Sequence, residues 1–142
     1  MSVSSLKLAV LTRALVTVLA LAAHPTLVLA AEDLVAGQKT FAVRCAACHG
    51  TTAGEKRLGP TLAGVFGHES GDVPGYRYSP ALKEAHLTWD AGALDKWLQN
   101  PSGLVRGTTM LVSVSSSADR QNLIAYLRTL SPDAEASSAT AQ

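Results

Sequence analysis

The chain has 142 residues, with 12 basic and 11 acidic side chains, 16% charged and 5% aromatic residues, enough for one domain with its own core and too few for two ordinary ones. The near balance of charge excludes a basic nucleic-acid footprint. Scarce charged and aromatic residues together are odd for a water-soluble protein unless something else, such as a large apolar cofactor, helps to fill the core.

At the start of the chain, Lys7 and Arg13 precede an uncharged run from Ala14 to Ala23, then Pro25, then Val28-Leu29-Ala30. This order of charge, apolar stretch and small residues predicts a secretory signal peptide over 1–30, cut after Ala30, with a cut after Ala31 nearly equivalent. An uncleaved anchor is the alternative, because the uncharged stretch approaches the ~18 residues at which spanning begins, but His24 and Pro25 interrupt it. The segment holds no cysteine for lipid attachment. Removing it leaves ten basic against eleven acidic residues, and export leads to an oxidising compartment where two cysteines ordinarily pair. Their spacing argues for another use.

From Glu32 to Cys45, Leu34, Phe41 and Cys45 recur at helical intervals, with Glu32 and Asp33 where a helix N-terminus favours negative charge. A first helix is expected there, with Gly37 inside it at about 1 kcal/mol relative to alanine, which suggests a neighbour too close for a side chain. Cys45-Ala46-Ala47-Cys48-His49 follows, the signature of c-type haem attachment. Two thiols three residues apart on one helical turn share a face and can reach both vinyl groups on one porphyrin edge, while the next residue offers a proximal imidazole. A disulfide oxidoreductase uses the same cysteine spacing but needs alternating strands and helices. A structural zinc site needs four ligands, and there is no second cysteine pair. A plain disulfide is the remaining alternative.

The glycine-rich stretch from Gly50 to Gly75, with Pro60 and Pro74, predicts loops wrapped around something, with one short helical turn near Leu62 to Phe66. A short helix is expected from Ser79 to His86. A clearer one runs from Asp90 to Asn100, with Leu94, Trp97 and Leu98 on one face and Pro101 as its stop. Beyond Pro101, Gly107-Thr108-Thr109-Met110 reads as a loop without helical pattern, able to drape over a ring face. After the leader Met110 is the only methionine. It is therefore the candidate second iron ligand, with His68 and His86 as the imidazole alternatives. Ser116 and Asp119 have capping-box spacing ahead of the stripe Leu123, Tyr126, Leu127, Leu130, which predicts a last helix. The Ser/Ala-rich tail, 132–142, has nothing to bury and is expected to be disordered. No strand pattern or repeat is found.

Taken together, these residues make the chain from Gly37 to Leu130 resemble the class I cytochromes c, in the mitochondrial-like branch found among exported bacterial electron carriers. The resemblance rests on Gly37-x-x-x-Phe41, the Cys45–His49 motif, Gly59-Pro60-x-Leu62, Pro74-Gly75-Tyr76-x-Tyr78-Ser79, Trp89, Leu98-x-Asn100-Pro101, Gly107-Thr108-x-Met110 and Leu123-Ile124-Ala125-Tyr126-Leu127. It implies an all-α cytochrome c fold over 31–131, in which the N- and C-terminal helices cross and short helices and loops surround one covalent haem c. It further implies that the Pro60 carbonyl accepts from His49, that Tyr78, Ser79 and Trp89 bond the propionates, and that Thr108 orders the surroundings of the Met110 sulfur. Gly37 would let the first helix cross the last against Tyr126.

Departures from the family pattern are as informative. Trp97 stands at the cofactor in place of a tyrosine, His68 in place of an arginine, and Arg106 where a proline often precedes Gly107. The usual lysine face is thin, with Lys39, Arg44, Lys56 and Arg57 left to flank the haem edge, so the partner's docking surface is expected to be only mildly acidic.

The resemblance thus implies a periplasmic, monomeric single-electron carrier with His/Met-ligated iron, not an enzyme, and peripheral to a membrane at most. Its donor would be a dehydrogenase or bc1-type complex and its acceptor a terminal oxidase. The alternatives are a haem subunit of a dehydrogenase complex, or a gas-binding or peroxidatic haem protein if Met110 does not ligate.

Overall fold

The computed structural model describes residues 32–131, so the expected signal peptide over 1–30 and the expected tail over 132–142 lie outside the described residues. Five helices follow in order: α1 (Leu34–Arg44), α2 (Pro80–Glu84), α3 (Ala91–Gln99), α4 (Pro101–Leu104) and α5 (Ser117–Thr129). No helix among the described residues is long and apolar enough to cross a membrane. The all-α expectation holds, with one isolated antiparallel bridge between Glu69 and Thr88.

Each helix starts where a short polar side chain can accept from an otherwise unpaired backbone N–H. Asp33 accepts from Ala36 at 3.0 Å, Ser79 from Leu82 at 3.3 Å, Asp90 from Ala93 at 2.7 Å and Ser116 from Asp119 at 3.2 Å. The first helix therefore begins one residue after its cap Asp33, and its carboxylate also suits the positive end of the helix dipole.

One expectation needs correction. Pro101 does not only end α3; it opens α4, because proline costs nothing at a first helical position whose N–H would be unpaired anyway. Asn100, extended at φ −158°, closes α3 and caps α4 by accepting from Gly103 at 3.0 Å. The short helical turn expected near Leu62 to Phe66 is present as a single turn, with Val65 donating to Leu62 at 3.1 Å and a second turn closed by His68 donating to Val65 at 3.2 Å.

The frame is the crossing of α1 and α5. A Cβ on Gly37 would lie 2.0 Å from the Asn122 carbonyl oxygen and 2.9 Å from Tyr126 Cβ, so the two backbones touch where a side chain would otherwise hold them apart. One turn on, the Phe41 and Tyr126 rings sit 5.5 Å apart between centroids. The Asp33 N–H donates to Asn122 Oδ1 at 2.9 Å, tying the start of α1 to the middle of α5. Leu123, wholly buried, anchors α5 against the core, a burial that contributes about 1.5–3 kcal/mol.

The glycine-rich loops are held by backbone pairing across the chain rather than by regular elements. Gly67 donates to Trp89 at 3.0 Å, Trp89 to His68 at 2.8 Å and Ser70 to Leu87 at 2.7 Å, which seats Trp89 and the 67–70 loop side by side. Buried Ser70 finishes the seam, giving a hydrogen bond to the Leu82 carbonyl and taking one from Leu87.

Candidate functional site

Where α1 ends, the Cys45 N–H still donates to Phe41 at 2.8 Å, and the chain then turns so that Cys48 and His49 both donate to the Cys45 carbonyl, at 3.0 and 2.9 Å. This continuation of the helix places the two thiols and the imidazole in one compact turn. Cys45 is buried and Cys48 half-buried, and neither is in a disulfide. Burial, partly offset by Arg44, raises the Cys45 thiol above its ordinary range.

The next loop completes the turn. Gly59 donates to the Cys48 carbonyl at 2.8 Å and Leu62 to the Gly50 carbonyl at 2.9 Å. Arg57 donates to the Ala46 carbonyl at 2.6 Å while also pairing with Glu55 at 2.6 Å. Most consequential is His49, whose Nδ1 sits 2.8 Å from the Pro60 carbonyl oxygen. A carbonyl only accepts, so Nδ1 carries the proton and Nε2 keeps its lone pair, the tautomer that a metal-ligating histidine requires.

Gly59 makes this placement possible. A Cβ there would lie 2.5 Å from His49 Cε1 and 2.7 Å from Nδ1. Gly59→Ala is expected to push the ring off Pro60 and to cost about 1–3 kcal/mol as an overpacking change, read by denaturant unfolding; unchanged stability would show that the ring has room to move.

The turn opens into a cavity of about 900 Å³, within the ~300–1,000 Å³ usual for cofactor sites. All ten residues singled out in the sequence line it: Cys45, Cys48, His49, Pro60, Tyr78, Ser79, Trp89, Trp97, Thr108 and Met110. The Trp89 and Trp97 rings pack at 5.3 Å between centroids. Tyr78 is half-buried against Tyr76, 4.7 Å between ring centroids, and burial raises its phenol above the usual value, keeping it a hydrogen-bond donor. Tyr76 in turn donates to the Leu58 carbonyl at 2.8 Å, joining two loops at the rim. Ser79 caps α2 from the same wall. Thr108 Oγ1 accepts from the Met110 N–H at 3.4 Å, a direct contact to the residue whose surroundings it was expected to order.

Of the imidazole alternatives, His68 lines the cavity and sits 3.9 Å from Asp72, while His86 does not line it and pairs with Glu69. Of the four cations expected to flank the haem edge, Arg44 lines the cavity, where it donates to the Ser113 carbonyl, Lys39 and Lys56 are exposed, and Arg57 pairs with Glu55. Exposed Leu58, Leu111 and Val112 line the mouth as well. Sequence reading missed them because an isolated exposed aliphatic carries no signal until the fold groups it with others. It also missed Arg120, buried on α5 and bonded to Asp95, Val114 and Ser115.

The donor set fits a covalent haem: two thiols and a correctly tautomerised imidazole in one turn, a thioether elsewhere in the lining of the same cavity, and apolar side chains from Leu82, Leu94, Leu98, Leu123 and Leu127. Comparison with known proteins agrees. The cytochrome c family model matches residues 34–131. Cytochrome c of Euglena viridis is 42% identical over 99 residues, covering 69% of this chain and 97% of that protein. Cytochrome c2 of Rhodomicrobium vannielii is 43% identical over 103 residues, covering 70% and 81%. Among solved structures, cytochrome cH from Methylobacterium extorquens aligns with a TM-score of 0.63 at 42% identity, covering 68% of this chain and 98% of that one.

Proposed function

The chain belongs to the cytochrome c family as a class I c-type cytochrome, an electron carrier with one covalently bound haem c, and from that premise we propose that Cys45 and Cys48 form the thioethers while His49 and Met110 ligate the iron. The observation that carries this reading is the His49–Pro60 contact at 2.8 Å, made in the turn that holds both thiols, beside a cavity that Met110 also lines. When bound, the haem supplies an iron that exchanges one electron between its ferrous and ferric states.

The rest is the work of the chain. Pro60 holds the proton on His49 Nδ1 and so keeps Nε2 basic and oriented. Met110 offers a neutral thioether, which favours the reduced state. If His49 and Met110 both hold the iron, no coordination position would be left for a substrate, and the chain would carry electrons without transforming a ligand. Trp97, Leu94 and Leu98, buried beside the cavity, keep water from the metal. Tyr78, Ser79 and Trp89 are the groups that bond the propionates, whose burial unpaired would be costly.

The partners are redox proteins. We propose that the chain is exported by residues 1–30 to the periplasm and acts there as a monomer, taking electrons from a dehydrogenase or bc1-type complex and passing them to a terminal oxidase. The rim supports a docking surface with apolar as well as cationic character, since Leu58, Leu111 and Val112 are exposed there beside Arg44, while Arg57 is paired with Glu55. Small contacts of this kind release quickly, as a shuttle requires.

The direct test is a haem stain of the purified protein on a reducing, denaturing gel. Colour is expected to stay with the polypeptide, because thioethers survive unfolding and reduction. It is expected to disappear when Cys45 and Cys48 are both replaced by alanine. Colour that washes out of the native sequence would remove the attachment on which the reading depends.

A further inference from the structure

Arg120 occupies the first turn of α5, where its charge lies at the unfavourable positive end of the helix dipole. It is nevertheless only 6% exposed. A buried cation in that position needs a compensating set of partners, and the structure supplies three bonds. Its Nε donates to Asp95 Oδ1 at 2.7 Å, and its Nη1 donates to the Val114 carbonyl at 3.0 Å and the Ser115 carbonyl at 2.8 Å.

These bonds join three parts of the cavity frame. Asp95 lies on α3, two residues before the cavity residue Trp97. Arg120 lies on α5, three residues before the cavity residue Leu123. Val114 and Ser115 end the irregular segment that carries Met110. Val114 is further fixed by burial and by its N–H, which donates to Leu98 at 2.7 Å. At the other end, Val105 donates to Pro101 at 2.8 Å and Thr108 to Val105 at 3.2 Å. Between these pins, Leu111 and Val112 are exposed. Four residues from Met110 to Val114 span at most about 14 Å, so the Val114 pin bounds where the Met110 sulfur can go.

We infer that Arg120, braced by Asp95, is a positioning residue for Met110: it holds the far end of the loop to α3 and α5 and thereby sets how firmly the thioether competes for the iron. The inference rests on the reading of Met110 as a ligand. A loop anchored at Val114 and Ser115 has fewer positions open to it when the thioether leaves than one released at that end, so those bonds favour the ligated state. Removing them raises the population of the open state, and an added ligand reads that population directly.

The experiment titrates imidazole against the ferric holoprotein, following loss of the sulfur-to-iron charge-transfer band, with helical content monitored by circular dichroism. Arg120→Met is expected to tighten apparent imidazole affinity about tenfold, the factor that corresponds to 1.4 kcal/mol. Arg120→Lys, which keeps charge but not the fork, is expected to fall between it and the native protein, and carries the test if the methionine variant does not fold. Leu130→Ala, a core truncation away from the loop pins, is expected to lower global stability without changing imidazole affinity. Unchanged affinity in both Arg120 variants, or an equal shift in Leu130→Ala, overturns the inference while leaving Met110 as ligand. A native protein without the charge-transfer band overturns the ligand reading itself, and the inference with it.

Discussion

Replacing Met110 by alanine is expected to convert the ferric protein from a low-spin to a high-spin spectrum, with loss of the sulfur-to-iron charge-transfer band and retention of covalent colour. The reason is the shortage of substitutes. Apart from Met1, Met110 is the only methionine in the sequence, so no second thioether is at hand. His86 lies outside the cavity wall with its Nδ1 against Glu69, and its side chain is 75% exposed. His68 does line the cavity, but it is 61% exposed and drawn toward Asp72. Adding imidazole to Met110→Ala is expected to restore a low-spin spectrum, because the mutation vacates a coordination position without dismantling the pocket. His68→Ala is expected to leave the native spectrum as it is. A low-spin Met110→Ala protein that becomes high-spin only when His68 is also removed would assign the position to histidine instead.

A second large effect is expected at Gly37, far from any ligand. Helix propensity alone favours alanine over glycine by about 1 kcal/mol, so a reading of α1 in isolation predicts that Gly37→Ala stabilises. The tertiary structure reverses the sign. The added methyl would stand 2.0 Å from the Asn122 carbonyl oxygen and 2.7 Å from its carbon, and backbone atoms inside α5 cannot rotate away as the end of a side chain can. The helices must separate, loosening the Phe41–Tyr126 contact and the Asp33–Asn122 bond. A net loss of about 3 kcal/mol is expected, at the upper end of overpacking costs, which lowers the melting temperature by about 12–24 °C for a domain of this size. A melt of the holoprotein by circular dichroism checks this. A variant as stable as the native chain would mean that the crossing can open at little cost.

These two cases show different degrees of legibility in the chain. Met110 could be singled out as a candidate by elimination, because ligand chemistry admits few side chains and the sequence holds few of them, and the fold brings it to the cavity lining. Gly37 was marked as a place of close approach, but the atom it approaches was visible only through the resemblance. Pro101 misled, since a proline that stops one helix and one that opens another look alike until Asn100 is seen to turn between them. Ser70 and Arg120 gave no signal: a serine in a loop and an arginine in a helix read as solvated residues, and both are buried.

By itself, the order of residues determined the chemistry and the class of fold. Cysteine, cysteine and histidine within five positions define an attachment site through local geometry alone, and helical periodicity with capping residues locates α1, α3 and α5 because those signals act over one or two turns. What only the tertiary structure decided are the contacts made across long stretches of chain: Asp33 with Asn122, and Arg120 with Asp95. Such contacts depend on where whole elements come to rest once the apolar faces have packed, and no local pattern encodes that position.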